Sequence, residues 1–115
     1  MLNFDVLREI NVRRCVRSWG HTLSSWSVAE WGNATVGEVG EACNIAKKLL
    51  RLRQGLPGNN KETSEASLLA ELSDEIADFV IYADLWAASE GISLEDAIRK
   101  KFNKTSVKLG FDDQL

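Results

Sequence analysis

The chain is poor in the residues that most often carry catalysis or staple a small fold. It has one histidine, His21, one proline, Pro57, and two cysteines, Cys15 and Cys43, in 115 residues. A single histidine cannot build a His-rich zinc centre or the paired Glu-x-x-His motifs of a di-iron bundle. The cysteines stand far apart, without Cys-x-x-Cys or zinc-ligand spacing, which points to a reducing compartment and not to a disulfide framework. A basic excess is also missing. The 14 Lys and Arg against 17 Asp and Glu give a net charge of −3, and a dedicated nucleic-acid binder would carry the opposite sign. No long apolar run is present: Phe79 to Ala88 is broken by Asp84 and falls far short of the roughly 20 residues of a membrane span. The N-terminal MLNFDVLREINVRR mixes charged with apolar residues and lacks the apolar core of a signal peptide. The expectation is a cytoplasmic single domain over residues 1–115 with neither a membrane nor a nucleic-acid partner. Its length is enough to bury a core. Any metal chemistry has to rest on carboxylates.

Scarce proline favours long helices, because proline breaks a helix interior. Turn residues concentrate in Gln54-Gly55-Leu56-Pro57-Gly58-Asn59-Asn60-Lys61, which divides the chain into two helical halves. Glu90-Gly91-Ile92-Ser93 makes a second break, with Gly91 suited to follow a helix and Ser93 to cap the next one. Lys108-Leu109-Gly110 is a further stop. The spacing predicts four helices: Phe4 to Ser18, Val28 to Arg53, Glu65 to Ser89 and Leu94 to Leu109. The expected fold is an all-α, four-helix bundle. The least regular stretch is the tryptophan-rich connector from Ser18 to Trp31.

At 100° per residue, Leu72, Ile76, Phe79, Val80, Ala83, Trp86 and Ala87 share one face of the third helix, with Glu75 on its edge. The main apolar face of the second helix is expected to be Val39, Ala42, Cys43, Ala46, Leu49 and Leu50, which makes Cys43 a core residue. The stripe of Glu38 and Glu41 continues into Ile45 and Leu52, so those acids are expected to face a packed groove. A helix this apolar needs cover on several sides, which points to an oligomer.

Glu38-Val39-Gly40-Glu41 and Glu75-Ile76-Ala77-Asp78 each set two carboxylates three residues apart, neighbours on one helix surface. If their helices pack antiparallel, four carboxylates converge. Like charges 4 Å apart repel by about 4 kcal/mol at an effective dielectric near 20. A hard divalent cation removes that penalty, and Mg²⁺ suits carboxylates, waters and phosphates together; Mn²⁺ is the second choice. Gly40 is expected to admit a close approach by a partner helix or a phosphate. Glu71 and Asp74 form a second acidic rank, expected to be solvated or to stand behind the metal ligands and not to be ligands themselves. The contrasting reading is that both motifs are surface charge on a non-catalytic helical oligomerisation module.

The two motifs resemble the ExxE…ExxD signature of the MazG-like all-α nucleoside triphosphate pyrophosphohydrolases. The resemblance extends through Trp26-Ser27-Val28-Ala29-Glu30-Trp31, Gly37-Glu38-Val39-Gly40-Glu41-Ala42-Cys43-Asn44, Asp74-Glu75-Ile76-Ala77-Asp78-Phe79-Val80-Ile81-Tyr82 and Lys101-Phe102-Asn103-Lys104. It covers the chain from about Trp19 to Phe111 and is closest to the compact single-domain type. The spacer from Ala42 to Asp74 is long for that family.

The resemblance implies a homodimer or homotetramer and Mg²⁺-dependent hydrolysis of an NTP or dNTP to the monophosphate and pyrophosphate. Glu38, Glu41, Glu75 and Asp78 would hold the metal, with Glu38 or Glu41 as the general base if not committed to it. Lys48, Arg51, Lys101 and Lys104 are candidates for neutralising the phosphates, and Asn103 for bonding sugar or phosphate. Trp19, Trp26 and Trp31 lie where similar proteins form the base pocket, and aromatic stacking suits a base; they also suit a core or a subunit contact. Tyr82 suits either the pocket or ordinary packing, and His21 a turn. Narrow specificity for dUTP, dCTP or phosphoribosyl-ATP is a further alternative.

Overall fold

A computed structural model describes residues 1–57 and 63–115. The described residues form four α-helices, α1 (Phe4–Trp19), α2 (Val28–Arg53), α3 (Glu65–Ser89) and α4 (Leu94–Leu109), with a 3₁₀ turn at Leu23–Ser25 and no strand. The regular structure of the described residues is all helical, as the scarce proline implies. The helices α2, α3 and α4 have the bounds that the spacing predicts, and α1 runs one residue further, to Trp19. Of the expected central turn, Gly58 to Lys61 lie outside the described residues.

The helix ends follow from local chemistry. The Asn3 side chain accepts from the Val6 N–H at 2.9 Å, and the Ser93 hydroxyl from the Asp96 N–H at 3.3 Å, each satisfying a donor that the first turn leaves open. Gly91 and Gly110 follow α3 and α4 with φ of +66° and +67°, a left-handed conformation that only glycine adopts without strain.

Two compact units divide the described chain. The first combines Met1–Val28 with Asp84–Leu115. In it α1 packs against α4, and Cys15 and Leu85 are buried. Asp84, which reads in the sequence as a break in an apolar run, is 1% exposed. It is held by the Arg8 Nε at 2.8 Å and by the Asn11 amide at 3.1 Å. Arg8 also donates to the Ile92 carbonyl at 2.9 Å, tying α1 to the α3–α4 turn. A buried charge needs such pairing, because an isolated one costs several kcal/mol to desolvate. The Cys15 thiol donates to the His21 carbonyl at 3.1 Å, and burial pushes its pKa up.

The second unit, Ala29–Ala83, contains most of α2 and α3 as an antiparallel hairpin. Ile45 and Leu49 of α2 bury against Leu68 of α3, with Leu52 and Leu72 packed alongside. Further toward the loop, Arg53 meets Glu65 at 2.6 Å. Rising numbers on one helix therefore meet falling numbers on the other. Burying a leucine-sized side chain stabilises a fold by about 1.5–3 kcal/mol, so this short apolar seam is what holds the hairpin shut.

The seam is rotated from the expected face. Along α2 the buried residues are Trp31, Gly32, Thr35, Ala42, Ile45 and Leu49, while Val39, Cys43, Ala46 and Leu50 are exposed. Cys43 is thus a surface thiol. On α3 Leu68 is buried, Leu72 and Phe79 are half-buried, and Ile76, Val80 and Trp86 are exposed. The reason is the breadth of the apolar arc. Each helix carries two adjacent apolar stripes, and the hairpin covers only one of them.

Candidate metal centre

The same register that aligns Leu49 with Leu68 brings Glu38 and Glu41 beside Glu75. Each of these three glutamates offers a carboxylate oxygen, and the three oxygens lie within 4.8 Å of one another. Glu38 falls in the buried stripe of α2, four residues before Ala42, and is half-buried; Glu41 faces outward and is exposed. Glu75 occupies the corresponding place on α3, between Leu72 and Phe79, and is half-buried. Both partly covered acids sit where the heptad spacing calls for an apolar side chain. The expected packed groove therefore holds for Glu38 and fails for Glu41, which is one residue outside the stripe.

The electrostatics follow from this crowding. Burial pushes the Glu38 carboxyl above its ordinary value, reinforced by a hydrogen bond with Glu41 and by the negative charges of Glu41, Asp78 and Glu75. Burial likewise pushes up Glu75, together with the charge of Glu41, a hydrogen bond with Glu41, and the charges of Asp78 and Asp74. Among the described residues the Glu75 Oε2 is buried with no hydrogen-bond partner. A buried acceptor in that state costs about 1–3 kcal/mol unless something fills its lone pairs. Hard oxygen donors that repel one another, one of them buried and unsatisfied, fit a small divalent cation such as Mg²⁺.

Asp78 is not part of the close trio. It is exposed and acts on Glu38 and Glu75 through its charge, so the expected convergence of four carboxylates becomes three with a fourth nearby. Glu71 and Asp74 are exposed, as expected of a solvated rank. Around Gly40 an added Cβ meets nothing within 4 Å, so no close approach in the chain explains that glycine.

The other sequence candidates fall into distinct surroundings. Lys48 is exposed on α2, seven residues after Glu41, which puts it on the same side about 10 Å along the axis. Arg51 is exposed and donates to the Pro57 carbonyl at 3.2 Å, so it bonds the loop entrance. Tyr82 is half-buried near the end of this unit. Trp31 is 1% exposed, and its ring has no face open to a base; the tryptophan that looked like a stacking platform is a core residue. Trp26 is half-buried and packs edge-on against His21, with ring centroids 4.2 Å apart. Trp19 is exposed beneath the Arg14 guanidinium.

Lys101, Asn103 and Lys104 belong to the first unit. Both ends of the Asn103 amide are occupied: its Nδ2 donates to the Leu115 carbonyl at 3.1 Å and its Oδ1 accepts from the Leu115 N–H at 2.9 Å. In this conformation Asn103 holds the chain's own backbone and not a sugar or phosphate. The Arg8–Asn11–Asp84 cluster and this Asn103–Leu115 pair are the polar arrangements that the sequence did not announce. Their partners are separated by 76, 73 and 12 residues, beyond any local spacing rule. Among the described residues no helix is long and apolar enough to cross a membrane. No family model, curated protein or solved structure matches the chain.

Proposed function

We propose that the chain is a Mg²⁺-dependent nucleotide pyrophosphohydrolase that converts an NTP or dNTP to its monophosphate and pyrophosphate. The observation that supports this is the meeting of Glu38, Glu41 and Glu75 from two antiparallel helices within 4.8 Å, with the Glu75 Oε2 buried and unsatisfied among the described residues. The resemblance of the ExxE and ExxD segments to the MazG-like enzymes selects the reaction from those that a carboxylate-held cation can serve.

Glu38, Glu41 and Glu75 would hold the cation, with Asp78 adding charge at its edge. When bound, Mg²⁺ supplies charge neutralisation for the phosphates and lowers the pKa of a water. The residues themselves do the rest. Glu75 and Glu38 lie half-buried in the hairpin seam. Glu38 or Glu41, whichever is not committed to the cation, would accept a proton from an attacking water. Lys48 lies on the same side of α2 and suits the departing pyrophosphate charge.

A panel of NTPs and dNTPs, with and without Mg²⁺, tests the proposal when monophosphate, pyrophosphate and orthophosphate are each quantified. Equal yields of monophosphate and pyrophosphate, lost in Glu41→Gln, are expected. Turnover of no nucleotide, or turnover unchanged in that variant, would sink the enzyme reading; orthophosphate release would show that a different bond is cut. The exposed apolar stripes favour one other reading, a non-catalytic helical interaction module, and absence of turnover would select it.

A further inference from the structure

Helix α4 is charged on one side only. From Ala97 to Phe111 the sequence has five basic residues and no acidic one, in a chain whose net charge is −3. One of the five, Arg99, is engaged by Glu95 and Asp96 in the preceding turn. The other four, Lys100, Lys101, Lys104 and Lys108, are exposed and take no part in the ion pairs of the described residues. At about 100° and 1.5 Å per residue they form a single lysine stripe about 12 Å long. Beside that stripe Ile98 and Phe102 are exposed. Ala97, Lys101 and Thr105, four residues apart, make one ridge of the helix surface, and Ile98 and Phe102 make the next. A shallow, largely apolar notch runs between the two ridges and is lined by these five residues. Ala97 contributes only a methyl group, which deepens the notch at that end. A channel between rows spaced by four residues is where a second helix inserts a row of its own side chains.

We propose that this face of α4 docks an acidic amphipathic helix of another protein, with an apolar row of that helix in the notch and its carboxylates along the lysines. Charge complementarity selects the occupant. Four like charges in one stripe repel one another, and a partner's carboxylates relieve that repulsion while fixing the register of docking. The notch selects the shape, since helix-in-groove recognition reads apolar residues at three- and four-residue spacing. Lys101 belongs to both features. It forms one rim of the notch, so its aliphatic stem lies against the partner's apolar row while its ammonium group meets a carboxylate. A flat anionic surface would meet both flanks of the notch, and the flank beyond Phe102 holds the Glu95–Arg99 pair, with no net charge to offer it. A nucleic-acid strand would find one exposed ring on this face, Phe102, where strand binding uses several in succession.

The face holds none of the three clustered glutamates, so nucleotide turnover does not decide the matter. The probe is a fluorescein-labelled synthetic peptide of about 18 residues, long enough to hold a helix in water, with leucines at i, i+3, i+4 and i+7 and glutamates along one flank. Its anisotropy with the intact chain is expected to show saturable binding, about tenfold tighter than a peptide of the same composition in scrambled order, and weakening as salt is raised. The same peptide with lysine in place of glutamate is expected not to bind. Lys101→Glu combined with Lys108→Glu is expected to weaken binding about tenfold. Ala97→Gln, which fills the notch without adding charge, is expected to weaken it several-fold. Both variants are expected to keep the parent's helical circular dichroism, because the three positions are exposed. Absence of binding, equal affinity for ordered and scrambled peptides, or variants that bind as the parent does would overturn the proposal. So would tighter binding of an anionic vesicle or a single-stranded oligonucleotide than of the peptide. A change in the chain's own mass by light scattering in the double lysine variant would place a second copy on the face, and would overturn it too.

Discussion

Replacing Arg8 with methionine removes a charge but keeps most of its aliphatic length, which isolates the contribution of the Arg8–Asp84 pair. Asp84 is 1% exposed and receives the Arg8 Nε at 2.8 Å and the Asn11 amide at 3.1 Å. Without Arg8 the buried carboxylate keeps one neutral donor, and breaking a buried pair from one side costs about 3–5 kcal/mol. For 115 residues each kcal/mol shifts the melting temperature by about 4 °C, so a fall of about 12–20 °C is expected. Asp84→Leu leaves Arg8 its Ile92 carbonyl and partial contact with water, and costs about 1–3 kcal/mol. Combining the two removes both charges together, and the double variant is expected to lose well under the sum of the single losses. Asn11 loses its Asp84 partner equally in both Asp84 variants, so that loss cancels in the cycle. Urea unfolding of the four proteins supplies the coupling. Additive losses, or a cost below about 1 kcal/mol for Arg8→Met, would refute the view that a buried ion pair locks α1 to the end of α3.

Three further outcomes follow from the structure. Glu38 and Glu75 have carboxyl pKa values raised above the ordinary 4.5, so between that value and their raised values the folded chain holds protons that the unfolded chain has released. In EDTA the melting temperature is therefore expected to fall as pH rises from about 4.5 through that window, and excess Mg²⁺ to recover the loss at neutral pH; a melting temperature that climbs over the same range in EDTA would contradict this. Glu75→Gln should melt higher than the parent in EDTA at neutral pH yet gain less from Mg²⁺, which paired melting curves would show. Leu68→Ala, at a residue 1% exposed in the hairpin seam, is expected to lose about 2–5 kcal/mol in urea unfolding, and a loss under 1 kcal/mol would deny that seam its role.

The helix bounds were legible because their signals are local. Ser93 caps the residue three along, Gly91 and Gly110 supply left-handed turns, and neither depends on a distant partner. The glutamate pairing was legible for a similar reason: spacing fixes which side of each helix Glu38, Glu41 and Glu75 occupy, and one antiparallel contact does the rest. The choice between two apolar stripes was not. Val39 and Ile45 are equally apolar, and only the neighbour chosen by α2 decides which is covered. Trp31 shows the same difficulty, since an aromatic beside a motif suits a pocket and a core alike. Asp84 looked like a break in an apolar run because Arg8, its partner, lies 76 residues earlier.

The central claim is that the carboxylates of Glu38, Glu41 and Glu75 form a divalent-cation site. Calorimetric titration of Mg²⁺ into the parent chain, run near pH 5 and at neutral pH in buffers of different ionisation heat, measures both affinity and proton release. The expected result is saturable binding, lost in Glu41→Gln and in Glu75→Gln, with more protons released at the lower pH because the pKa values of Glu38 and Glu75 are raised. Absence of saturable binding in the parent, or equal affinity in parent and variants, would contradict the account.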